Sequence, residues 1–163
     1  MKTLIPSILV CIAALMGCRD PHAGHSHDGD DHDHAHAHSH AHDAPHGGTG
    51  VELGEHQFHL ELVREQEPGK LKVWVLDGHM ENFVRVPAET FQIRAKVGEE
   101  QRLLELKAVG NEATGETVGN TSYFEVEADW LKEYGEFECE LVDLSIKGIS
   151  FKSVPFRFPG GNE

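Results

Sequence analysis

The chain has 163 residues, with 28 Asp and Glu against 14 Lys and Arg, 13 His and a formal net charge of −14 at pH 7. So acidic a surface repels nucleic acid and anionic headgroups, which argues against DNA, RNA and phospholipid-surface partners and makes cations the natural counterpart. The three Cys residues are too few for a disulfide framework once the processing of the N-terminal segment is considered.

The opening MKTLIPSILVCIAALMGC carries Lys2, an apolar run from Leu4 to Met16 and a small Gly17 before Cys18. This is the layout of a secretory signal over residues 1–17, and the run is too short to span a bilayer comfortably. Leu15-Met16-Gly17-Cys18 also resembles the lipobox of bacterial lipoproteins, in which the cysteine is acylated on sulfur and becomes the new N-terminus. The resemblance implies a lipid anchor at Cys18 and a place in the cell envelope, on the periplasmic side of the inner or outer membrane. An ordinary signal peptide cleaved nearby is the plainer alternative. Either way Cys11 is lost. With Cys18 consumed by lipid, Cys139 alone remains and no internal disulfide is available.

In the segment 18–48, everything after Cys18 is His, Asp, Ala, Gly, Ser, Pro or the single Arg19, with nothing to offset the entropy of ordering a backbone, so disorder is expected. Treated as a flexible coil, the segment would have an end-to-end distance of about 30 Å, enough to act as a tether. Ten imidazoles lie in it: His22, His25, His27, His32, His34, His36, His38, His40, His42 and His46. With an ordinary pKa of about 6.5 most are neutral at pH 7 and keep a nitrogen lone pair for a metal. Imidazole suits Zn²⁺, Ni²⁺, Co²⁺ and Cu²⁺, the Asp carboxylates add harder oxygen ligands, and the absence of Met and free thiol gives no reason to expect Cu⁺.

Spacing governs how such a tract binds. In an extended backbone, side chains at i and i+2 project from one face about 6.5–7 Å apart, close enough for two imidazoles to converge on one ion. His32 to His42 thus form a ladder of interchangeable partial sites. Because nothing fixes which members join, ions are held loosely and with little geometric selection. At two to four ligands each, the tract has room for roughly three to five ions. A solvated spacer, a pH sensor that becomes polycationic below about pH 6 and a purification tag are the competing explanations. The interleaved Asp and Ala behind a lipobox argue against the tag.

After Gly48, runs with two-residue alternation recur between turn signals. Phe58, Leu60 and Leu62 alternate with polar residues, and Gln66-Glu67-Pro68-Gly69 turns the chain into Leu71–Leu76, a first hairpin. Phe91, Ile93, Ala95 and Val97 lead through Gly98-Glu99-Glu100 into Leu104–Ala108, a second. A polar loop from Gly110 to Asn120 precedes Phe124, Val126 and Ala128. Ala128–Tyr134 looks like a helical turn, and Phe137-Cys139-Leu141 and Ile149–Phe158 complete the series. Seven to nine short strands over 49–163 predict an all-β domain, an Ig-like antiparallel β-sandwich. Trp74, Phe58, Phe83, Phe91, Phe124 and Phe137 are its expected core fillers, with Cys139 a small core residue. Pro155 and Pro159 place the last strand at an edge or at its own end.

Within this domain His59 and Glu61 share a strand face, an i, i+2 pair, and His46 lies close before the same strand. A metal site from His46, His59 and Glu61 is one reading; a solvated strand face explains the same residues as simply. His79, in Asp77-Gly78-His79-Met80, reads as a turn residue.

The segments Pro45–Gly54, Phe58-His59-Leu60-Glu61-Leu62-Val63 and Val73-Trp74-Val75-Leu76-Asp77 are similar to small His-rich bacterial envelope lipoproteins with a β-rich domain, related segments of which occur near heavy-metal efflux adaptors. The similarity covers roughly residues 20 to 158. It implies a β-rich periplasmic domain connected with divalent metal handling, a heavy-metal efflux system as partner, and a part for His46 and His59. The chain departs from a complete adaptor in having neither a long coiled-coil hairpin nor a lipoyl-like segment.

The sequence therefore predicts a lipid-anchored protein that binds or buffers divalent transition metals. The alternative is a non-enzymatic interaction module in which the tract is spacer or pH sensor. An enzyme is not expected: there is no credible Ser/His/Asp arrangement, no His-Glu-x-x-His and no phosphate-binding Gly loop. A blue-copper site is excluded because no His or Met follows Cys139.

Overall fold

The computed structural model describes residues 43–162. The signal sequence, Cys18 and the tract histidines from His22 to His42 lie outside the described residues. Eight strands and one helical turn follow in chain order: β1 (Thr49–Leu53), β2 (Phe58–Glu65), β3 (Lys70–Asp77), β4 (Thr90–Val97), β5 (Glu100–Ala108), β6 (Tyr123–Glu127), α1 (Trp130–Glu133), β7 (Phe137–Ile146) and β8 (Ile149–Phe158). Every pairing is antiparallel, and both expected hairpins, β2–β3 and β4–β5, are formed.

The strands run in the order β1-β2-β3-β6-β5-β4-β7-β8 through one continuous sheet. Its middle is thin, since β5 and β6 pair only through Lys107–Glu125 and Ala108–Phe124. Two four-stranded halves are thereby free to fold toward each other over a shared core, and the sheet nearly closes into a barrel. The closing is done by the residues after β8. Asn162 Oδ1 accepts from the Glu52 N–H at 2.8 Å and its Nδ2 donates to the Glu52 carbonyl at 3.1 Å, so one side chain supplies β1 with a substitute for a neighbouring strand. Gly161 makes the approach possible: at φ +73°, a Cβ there would lie 2.1 Å from the Gly50 carbonyl.

The period-two pattern puts Leu60, Leu62, Leu71, Val73, Val75, Ile93, Leu104, Leu106, Phe124, Leu141 and Ile146 inside, each essentially without solvent contact. Burial of side chains of this size stabilises by about 1.5–3 kcal/mol each. Phe58, Phe91, Phe124 and Phe137 join the core as expected. Cys139 does too, and burial pushes its thiol up to about 12, well away from the reactive thiolate form near neutrality. β8 is an edge strand, in keeping with Pro155 and Pro159.

Two expected core residues are elsewhere. Trp74 lies on the outer face of β3, half-buried between His46 and Tyr123, because its neighbours Val73 and Val75 take the inward positions. Phe83 falls after β3 in an irregular stretch and is 50% exposed. Bulk favours burying an aromatic residue, but strand alternation decides which face it takes.

Candidate metal centre

β2 is buried on both faces. Phe58, Leu60 and Leu62 face the core, while His59 and Glu61, on the opposite face, are also fully buried. Polar groups so placed need partners, and the two residues find different ones.

Glu61 is used to hold the chain ahead of β1. Its Oε1 accepts from the His46 N–H at 2.6 Å and the Gly48 N–H at 3.1 Å, and its Oε2 faces His46 Nδ1 at 2.8 Å. A carboxylate only accepts, so Nδ1 carries the proton. The His46 ring stacks on Trp74, with centroids 3.9 Å apart and planes 13° from parallel. Gly48 is required here, since a Cβ would come within 2.5 Å of the Leu62 carbonyl and 2.9 Å of Glu61 Cγ. Folded packing thus reaches back to His46, the last histidine of the tract.

His59 turns the other way along the strand. In the β1–β2 register it is opposite Glu52, and the two strands are joined by the four residues Gly54-Glu55-His56-Gln57. Gln57 N–H donates to the Gly54 carbonyl at 3.1 Å. The central residues of that turn, Glu55 and His56, have φ of 48° and 61°. Positive φ at both central positions is what a type I′ hairpin turn demands, normally met by Asn-Gly. The turn brings His56 back over its own hairpin: its N–H donates to Glu52 Oε1 at 2.7 Å, and its Nδ1 lies 3.5 Å from Glu52 Oε2. The His56 and His59 rings are 6.3 Å apart.

One ligand atom from each of Glu52, His56 and His59 therefore lies within 4.8 Å of the others, the one such group of three among the described residues. The expected trio of His46, His59 and Glu61 does not converge. His46 and Glu61 do meet, but as a hydrogen-bonded clasp, while His59 belongs with Glu52 and His56 one step further along the hairpin. His79 is exposed in the β3 turn, as expected. That turn is closed by Asp77, whose Oδ1 accepts from the Glu81 and Asn82 N–H groups and whose Oδ2 accepts from Asn82 Nδ2 at 2.6 Å. Burial would raise the Asp77 carboxyl; these bonds, led by those from Asn82, outweigh it and leave it below the usual range. The Asp77 carbonyl faces His59 Nδ1 at 3.4 Å.

No local pattern in the sequence singles out Glu52 and His56 as ligands. They precede His59 by seven and three positions, odd spacings that fit no single strand face, and only the hairpin register shows that they meet. No protein-family model matches the chain, and neither a curated protein nor a solved structure matches it.

Proposed function

We propose that this chain is a lipid-anchored envelope protein that binds and buffers divalent transition metals, accessory to metal efflux or resistance. The observation that carries the reading is the ladder of imidazoles at every second position from His32 to His42, flanked by His22, His25, His27 and His46 and interleaved with carboxylates. Neutral imidazoles crowded in this way chelate Zn²⁺, Ni²⁺, Co²⁺ or Cu²⁺ in many equivalent arrangements, which suits uptake and release better than permanent retention. The folded domain contributes a rigid mount for the tract, because His46 is clasped by Glu61 and Trp74. A lipid at Cys18 would keep the tract within reach of the membrane and of an efflux partner there.

Native mass spectrometry of the mature chain, compared with a version in which the nine histidines from His22 to His42 are replaced by Asn, tests this. Loss of roughly three to five bound ions on replacement is the expected result. Equal metal loading of the two chains would reduce the tract to a spacer or pH sensor.

A further inference from the structure

From the geometry we infer an ordered metal site on the folded domain itself, formed by Glu52, His56 and His59 and suited to a single Zn²⁺ ion. The inference deepens the metal-handling reading above but stands on separate residues. It uses none of the histidines from 22 to 42.

Four observations converge on it. The donor set is two imidazoles and one carboxylate, the combination that binds zinc with a fourth position left for water or for a ligand from another molecule. The ligand atoms already lie within 4.8 Å of one another. In a tetrahedral shell with bonds near 2.0–2.1 Å, they would be about 3.3 Å apart. The remaining contraction falls on His56, whose side chain is 57% exposed, and on Glu52, 22% exposed, while His59 is fixed at 0% in the floor. The site is thus a rigid buried ligand with two adjustable ones above it.

His59 is also oriented as a ligand should be. The Asp77 carbonyl can only accept, so the Nδ1 that faces it carries the proton and the lone pair falls on Nε2. Metal-bound histidines are held in this way by a carbonyl or carboxylate behind the ring. Asp77 is itself locked by three bonds into its turn, so the orienting carbonyl is not free to drift.

Lastly, the turn that presents His56 is built from unfavourable residues. Crowding of Cβ against the following carbonyl disfavours a non-glycine residue in the left-handed region, and the hairpin places Glu55 and His56 there consecutively. Asn or Gly at 56 would make the same turn more cheaply. Imidazole at this position is explained by what it lies beside, namely Glu52 Oε2 at 3.5 Å and the His59 ring at 6.3 Å between centroids. Chain closure adds to the rigidity, since Asn162 clamps both backbone groups of Glu52 from the far end of the sheet.

Cobalt titration followed by visible absorption tests the site in the full chain whose histidines from His22 to His42 are all replaced by Asn. One Co²⁺ per chain with the intense visible bands of a four-coordinate ion, displaced by one equivalent of Zn²⁺, is the expected result. Two variants in that background control for folding. His56→Asn keeps a residue that tolerates positive φ, and Glu52→Gln keeps the size and one acceptor. Each should weaken cobalt binding by about tenfold or more, with far-UV circular dichroism unchanged. Absence of binding in the tract-replaced chain, or unchanged affinity in both variants, overturns the inference. The tract reading is judged separately: it fails only if the unreplaced chain holds no more metal than the replaced one.

Discussion

Glu61 holds His46 through two atoms at once, the backbone N–H at 2.6 Å and Nδ1 at 2.8 Å, while Trp74 stacks beneath the ring. The carboxylate is fully buried, the imidazole 37% exposed. Removing the acceptor strands three donors around a buried position. Removing the imidazole leaves the two backbone bonds in place. Glu61→Ala should therefore destabilise the domain by about 3 kcal/mol and His46→Ala by about 1 kcal/mol. Urea unfolding monitored by tryptophan fluorescence measures both, and equal losses would show that the carboxylate is not the anchor.

Acid sensitivity should be traceable to Glu116. Its Oε1 accepts from the Ser122 N–H at 2.9 Å and Oγ at 2.7 Å, its Oε2 from Thr114 Oγ1 at 2.8 Å, and Arg85 lies 3.7 Å away. Burial would raise this carboxyl, but the Ser122 and Thr114 bonds and the Arg85 charge hold it below its ordinary 4.5. A depressed carboxyl contributes stability that is fully present above the unfolded value and is lost as pH falls through the folded one. Glu116→Gln should thus be less stable than the native chain at pH 7, with the difference shrinking between about pH 5 and pH 3. Urea midpoints across that range decide it; a gap that stays constant removes Glu116 from the acid response.

The strands were legible because their apolar residues alternate without interruption, as in Phe91-Ile93-Ala95 and Leu104-Leu106-Ala108. The burial of β2 on its second face was not. His59 and Glu61 look like a solvated face when read alone, and what covers them comes from the β1–β2 turn, the Asp77 turn and the segment around His46. β1 has only a faint signature, since Gly48 and Gly50 dilute its pattern, and without β1 there is no register to set Glu52 opposite His59. Trp74 shows the same limit from the other side. Its bulk suggests the core, yet its neighbours Val73 and Val75 already occupy the inward positions, and His46, 28 positions earlier, is what makes an outward tryptophan worthwhile.

Gly78 should prove irreplaceable for the metal site as well as for the fold. It is buried under the β1–β2 turn, and a Cβ there would lie 1.8 Å from the His56 carbonyl. That atom is backbone, so the turn must move. Gly78→Ala is expected to destabilise by about 1–3 kcal/mol and to weaken cobalt binding, because displacing residue 56 separates its imidazole from Glu52 and His59. Gly98, where a Cβ meets nothing within 4 Å, is the control. Gly98→Ala at φ +60° should lose stability through its backbone alone and bind cobalt normally.

Metal should stabilise the fold through the ordered site and not through the tract. Linkage rewards only ions that bind the folded state in preference to the unfolded one. A tract that chelates without folding holds its ions equally well in both states, so those ions cancel, however many there are. Glu52, His56 and His59 are brought together only by the β1–β2 register and the Asp77 turn, so their ion does not cancel. With free Zn²⁺ at a hundred times the dissociation constant of the ordered site, the domain should gain about 2.7 kcal/mol, or about 10 °C in melting temperature. His56→Asn in the otherwise native chain should lose most of that shift while still carrying most of its bound zinc. Calorimetry alongside metal analysis of the same samples separates the two quantities: a thermal shift that disappears with the tract histidines and survives His56→Asn would reverse the assignment.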